Sequence, residues 1–192
     1  MITMKKKNIL LFLLLIFVTK HVKSQDKTID LASSNIRWTG KEITTKIHYG
    51  SLKFSEGKII LKNDLVIGGK FIVDMKSLEN LDLSGGSKDY LENHLRSDDF
   101  FGVDQYPNAI LNILSSKKIA GNKLSVQGDL TIKGIINPTS FTLEFNDRGA
   151  SAELIFDRSK YNVKFRSSSF FDELGDKLIY DDIELKVDLV FN

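Results

Sequence analysis

From Ile36 onward, apolar and polar residues alternate in twos. Leu52 and Phe54 fall on one side of an extended chain, Lys53 and Ser55 on the other. Phe71, Val73 and Met75 alternate with Lys70, Ile72 and Asp74, and Phe141, Leu143 and Phe145 with Thr142, Glu144 and Asn146. Ala152, Leu154 and Phe156 repeat the pattern. At the C-terminus Ile179, Asp181, Ile183, Leu185, Val187, Leu189 and Phe191 share one face, and Tyr180, Asp182, Glu184, Lys186, Asp188 and Val190 the other. Period two with one wet face predicts antiparallel strands around a common interior. Turn signals at Glu56-Gly57, Gly68-Gly69, Ala120-Gly121-Asn122, Asn137-Pro138, Asp147-Arg148-Gly149 and Gly175-Asp176 separate the runs, at the spacing of hairpins. The expectation is an all-β fold, an antiparallel up-and-down barrel of about eight strands, because closure removes exposed edges. A two-sheet sandwich is the alternative.

One segment breaks the period. Lys88 to Arg96 reads as a short helix, with Ser87 as its cap, Asp89 at the positive end, and Tyr90, Leu91, His94 and Leu95 on one face. It leads into Ser97-Asp98-Asp99-Phe100-Phe101-Gly102-Val103-Asp104-Gln105-Tyr106-Pro107. A connection that carries Phe100, Phe101, Val103 and Tyr106 has to bury them, since exposed apolar patches of that size mark binding surfaces. The open end of the barrel is the expected place, with this aromatic loop over a cavity. Adjacent residues in extended chain face opposite ways, so Phe100 is expected to pack inward and Phe101 to cover the mouth near His94.

The N-terminus is read separately. Lys5-Lys6-Lys7 is a basic start, Ile9 to Val18 an apolar run of ten residues, and Val22-Lys23-Ser24 a cleavage region. A bilayer span needs about 20 apolar residues. Residues 1–24 are therefore expected to be a secretory signal peptide, and residues 25–192 one barrel domain exported to the periplasm or beyond. Loss of residues 1–24 takes five Lys and no acid, which turns a formal charge of +2 into −3. No basic block remains to suit nucleic acid. There is no Cys, so disulfides and lipidation of an N-terminal Cys are excluded.

Catalytic and metal signatures are sparse. The chain beyond residue 24 has two His, His48 and His94, far apart in sequence and without Cys, a poor start for a zinc site. No Gly-x-Ser-x-Gly or P-loop spacing occurs. Asp98 and Asp99 are adjacent and so point apart. Gly85-Gly86-Ser87-Lys88 offers free amides and a Lys to an anion, although most such Gly pairs are only turns. His94 is either satisfied by a nearby carbonyl or is a polar contact at the cavity mouth. With eleven Phe left after Phe12 and Phe17 depart with the leader, the chain has apolar content without catalytic content.

Three segments carry a resemblance: His94 to Phe101 ending in Tyr106-Pro107, Gly128-Asp129-Leu130-Thr131-Ile132-Lys133-Gly134-Ile135, and Phe156-Asp157-Arg158-Ser159-Lys160-Tyr161-Asn162-Val163 followed by Asp181-Asp182-Ile183-Glu184-Leu185. From about Ile29 to Phe191 the chain resembles the YceI-like, polyisoprenoid-binding family of exported bacterial proteins, with a lipocalin-like barrel. Gly102 stands where an acidic residue commonly follows the Phe pair, and Asn162 where Gly is common.

The resemblance implies a carrier for a long-chain isoprenoid, isoprenoid quinone or fatty acyl lipid, with no cofactor, metal or nucleic acid. Transient membrane contact and a dimer are both compatible with it. The expected ligand-binding residues are Trp38, Phe54, Phe71, Val73, Met75, His94, Phe100, Phe101, Phe141, Leu143, Phe145, Ile183 and Leu185. Burying roughly 400 Å² of tail at ~25 cal/mol per Å² yields about 10 kcal/mol before ordering costs. Two alternatives remain at this point: an enzyme with His94 as acid or base oriented by Asp99, and an interaction module that presents Phe100 and Phe101 outward.

Overall fold

A computed structural model describes residues 24–192; the expected signal peptide therefore lies, apart from Ser24, outside the described residues. The strands are β1 (Gln25–Thr28), β2 (Asn35–Lys41), β3 (Ile47–Lys62), β4 (Leu65–Asn80), β5 (Asn108–Ala120), β6 (Lys123–Ile132), β7 (Ile135–Phe145), β8 (Gly149–Asp157) and β9 (Asp182–Val190), with the helix α1 (Gly85–Arg96) between β4 and β5. Each strand from β3 to β9 pairs antiparallel with its sequence neighbours, and β9 closes on β2. β1 pairs with β3 along Lys58–Leu61 and β2 pairs with it along Ile47–Leu52, so the two share one position. The result is an up-and-down barrel of eight positions, as the alternation predicts.

Several turn signals turn out to lie inside strands. β3 is one run of 16 residues, and its register against β4 shifts between Phe54 and Glu56. The extra residue resets the phase: Leu52 and Phe54 point inward before it, Gly57 and Ile59 after it. Gly68-Gly69 lies within β4 and Asn137-Pro138 within β7. Pro138 is tolerated because β7 pairs with β8 only from Thr142 onward, leaving that edge free of ladder bonds. The reversals occur instead at Asn63-Asp64 (φ 50° and 58°) and Lys133-Gly134 (φ 49° and 73°). Positive φ at both central residues is the two-residue hairpin geometry that matches strand twist.

α1 also begins earlier than predicted. Its N-cap is Ser84, whose side chain makes no capping bond, rather than Ser87. Tertiary anchors set the start instead. Buried Asn80 accepts from the amide of Leu83 and donates to the carbonyl of Tyr49 and to Asp82, while its own amide donates to Glu92. At the other end Arg96 donates to the carbonyl of Leu78. Tyr90 points out, 76% exposed, so the inward face is Leu91, His94 and Leu95.

The two ends of the barrel differ. One is closed by the tight turns at 63–64, 121–122 and 147–148 and by the N-terminal segment, where Ile29, Val66, Leu124 and Ala150 are buried. The other carries the β2–β3 turn, α1 with the aromatic loop, and the long β8–β9 connection.

Candidate functional site

The interior at this second end is hollow. It holds about 190 Å³ of space walled almost wholly by apolar side chains from the strands, α1 and the aromatic loop. Twelve of the expected binding residues line it: Trp38, Phe54, Phe71, Val73, Met75, His94, Phe100, Phe101, Phe141, Leu143, Ile183 and Leu185. Phe145 does not. It ends β7 at the closed end and packs on Phe191, ring centroids 6.3 Å apart. Period two identifies the inward face but not the depth along the barrel axis, which explains the misplacement.

Phe100 is 4% exposed and turned into the core, while Phe101 is half-buried beside it at 5.4 Å between centroids. The loop is held by its own amides, including Phe101 N–H to the Leu95 carbonyl and Gly102 N–H to the Ser97 carbonyl. Lys133, at the β6–β7 reversal, donates to the carbonyls of Asp98 and Phe100 at 3.1 and 2.8 Å. Burial lowers its pKa, against the opposing pull of Asp98 and Asp99.

The sequence reading missed the second wall of this end. Arg158 has no exposed surface and donates to the carbonyls of Val163, Phe165, Ile179 and Tyr180 at 2.9–3.3 Å. Its guanidinium is 3.2 Å from Asp181, whose other oxygen accepts from Ser167 and Ser169. Burial pulls the Arg158 pKa down, while Asp181 and Asp157 oppose that shift. One side chain thus ties residues 158–181 over the end of the barrel. Phe165 in this segment stands 4.3 Å from the His94 ring and 6.3 Å from Phe100. Asn162 follows the short turn Arg158–Tyr161 with φ 60°, a left-handed position that Gly fills most easily and Asn tolerates.

Both His48 and His94 line the cavity, but their partners differ. His48 Nδ1 is 2.7 Å from Asp82, whose carboxylate also accepts from the amide of Tyr49. His94 lies in the cavity wall, and its Nε2 is buried without a hydrogen-bond partner, so no backbone carbonyl satisfies it there. Asp99 is exposed, away from that nitrogen's buried setting. Lys88, the cation of the candidate anion site, is engaged by Glu79 at 2.9 Å and lies 3.7 Å from Glu92. Among the described residues no group of three or more His, Cys, Asp or Glu is arranged to hold a metal.

The chain is 31% identical over 115 residues to a UPF0312 protein of Staphylococcus aureus strain bovine RF122, matching 54% of this chain and 63% of that one. The match thus spans less than two thirds of that relative's length. A UPF0312 protein of Photorhabdus laumondii is 28% identical over 144 residues, covering 73% of this chain and 72% of that one. Among solved structures, Burkholderia cenocepacia BcnA superposes with a TM-score of 0.69 at 22% identity, over 84% of this chain and 98% of that one. A polyisoprenoid-binding domain from Saccharophagus degradans, implicated in plant cell wall breakdown, does so with 0.58 at 12% identity, over 90% and 99%. At those identities the likeness shows the fold. The YceI-like domain profile matches residues 28–191, essentially the whole described chain, and the chain belongs to that family.

Proposed function

We propose that this protein carries or sequesters a long-chain apolar lipid, an isoprenoid or fatty acyl chain, inside its barrel. The observation that carries the reading is the hollow interior: about 190 Å³ lined by apolar side chains and covered by Phe100 and Phe101. A barrel that existed only for stability would gain by filling that space. The name of the Saccharophagus degradans domain is in keeping with this. Binding rather than catalysis is the better reading, because His94 forms no ion pair with a carboxylate among the described residues and Asp99 is exposed, while the other His of the wall, His48, is held by Asp82. The placement of Phe100 in the core also weighs against a module that displays both rings to a partner. We place the protein outside the cytoplasm, with residues 1–24 removed on export.

Filling the cavity tests this. Ala152 and Ala109 both line the space. Ala152→Phe is expected to keep the barrel's circular dichroism and lose binding of a fluorescent long-chain acyl probe by tenfold or more. Unchanged binding in a folded variant would place the lipid elsewhere and overturn the reading. N-terminal sequencing of the protein from its host tests export; an intact Met1 start in the cytosol would contradict it.

A further inference from the structure

Two nitrogen atoms in the cavity wall are buried without a partner, Nε1 of Trp38 and Nε2 of His94. A third orphan among the described residues, Oδ1 of Asp181, at least has the Arg158 guanidinium at 3.2 Å. The first two have nothing. Buried polar groups are nearly always hydrogen-bonded, since desolvation without compensation costs free energy. Two such atoms in one apolar cavity call for a common explanation.

Neither atom is free to turn aside. Trp38 pairs with Gly50 across β2 and β3, and a Cβ at Gly50 would lie 2.6 Å from the indole ring. The indole occupies the room that glycine leaves, and it is 8% exposed. The His94 ring packs at steep angles against the rings of Phe165 and Phe100, centroids 4.3 and 5.7 Å away, neither of which offers an acceptor.

We propose that Trp38 and His94 form a polar subsite inside the cavity that takes an uncharged oxygen of the lipid, a carbonyl or alcohol oxygen on a prenyl or acyl chain. The inference rests on reading the cavity as a lipid site. The indole N–H only donates, so the ligand atom accepts. The atom is uncharged because the cations the wall could offer are already engaged, Lys41 by Glu184 and His48 by Asp82, and Glu42 beside them is itself negative. A phosphate or carboxylate beside Trp38 would be buried without a countercharge. The head of the ligand therefore lies within the barrel.

Geranylgeraniol, the hydrocarbon that lacks its hydroxyl, and geranylgeranyl diphosphate are the probes. Trp38 is the only Trp in the chain, so its indole N–H gives one resonance that reports on the subsite without assignment. The alcohol is expected to bind about five- to tenfold more tightly than the hydrocarbon, one neutral hydrogen bond's worth. It should move the indole N–H resonance downfield, and the hydrocarbon should not. In Trp38→Phe and His94→Leu the ratio of alcohol to hydrocarbon affinity should shrink towards one, whatever each variant does to the affinity for the hydrocarbon itself. Equal affinity in the wild type, a preference that survives both variants, or tightest binding by the diphosphate would overturn the subsite while leaving lipid binding intact. Failure of every probe would instead overturn the lipid reading, and the subsite with it.

Discussion

The guanidinium carbon of Arg158 lies 5.2 Å from the centre of the Phe100 ring. A fully buried charge from the β8–β9 connection thus sits against the aromatic that covers the cavity, joining the two structures that cap this end. The lid is built from both, and its two halves share one packing arrangement.

Arg158→Met should be costly. Met fills much of the volume but leaves carbonyls of Val163, Phe165, Ile179 and Tyr180 without their donor and Asp181 without its cation. Breaking a buried pair from one side costs about 3–5 kcal/mol. Arg158→Lys should recover little, because an ammonium cannot reproduce the planar fork. Denaturant midpoints measure both; a loss below about 1 kcal/mol for Met would show that the carbonyls find water instead.

Phe100 and Phe101 should respond differently. Phe100 both fills the core and lines the space, so Phe100→Ala should cost about 3 kcal/mol and also speed lipid release. Phe101 is half-buried, and Phe101→Ala should speed release for a stability loss of about 1 kcal/mol. Stopped-flow release rates and midpoints separate the two; release unchanged in both variants would make the loop core alone.

Asp82 sets a pH dependence. Burial raises its pKa, but the amide of Tyr49, the ring of His48 and the amide of Asn80 outweigh that and hold the carboxyl below its ordinary value of 3.8. A depressed folded-state value adds stability above the unfolded value, and this is lost as pH falls through the folded one. Asp82→Asn should therefore destabilise the protein by about 1–2 kcal/mol near neutral pH, with the gap to wild type closing below about pH 4. A gap that stays constant to low pH would mean that the charge contributes nothing.

Much of the barrel was legible because period two survives wherever one face is wet. The inward sets Phe71, Val73 and Met75 on β4, and Ile183 and Leu185 on β9, follow directly from it. Glycine was the misleading signal. Gly57 and Gly68-Gly69 mark a bulge and close packing, not reversals, whereas the Asn63-Asp64 turn has no glycine at all. The Trp38 nitrogen could not be read as unpartnered, since hydrogen-bond satisfaction is a property of three-dimensional neighbours. Arg158 offered one clue, a charge just after a strand and before a long connection whose carbonyls need donors inside the fold.

The central claim is that the barrel holds a lipid, and native mass spectrometry of the protein purified gently from its own host tests it most directly. The account predicts a species heavier than the processed chain by the mass of one lipid, several hundred daltons, which Ala152→Phe loses. A single species at the bare polypeptide mass, with none formed when geranylgeraniol is supplied, would contradict it.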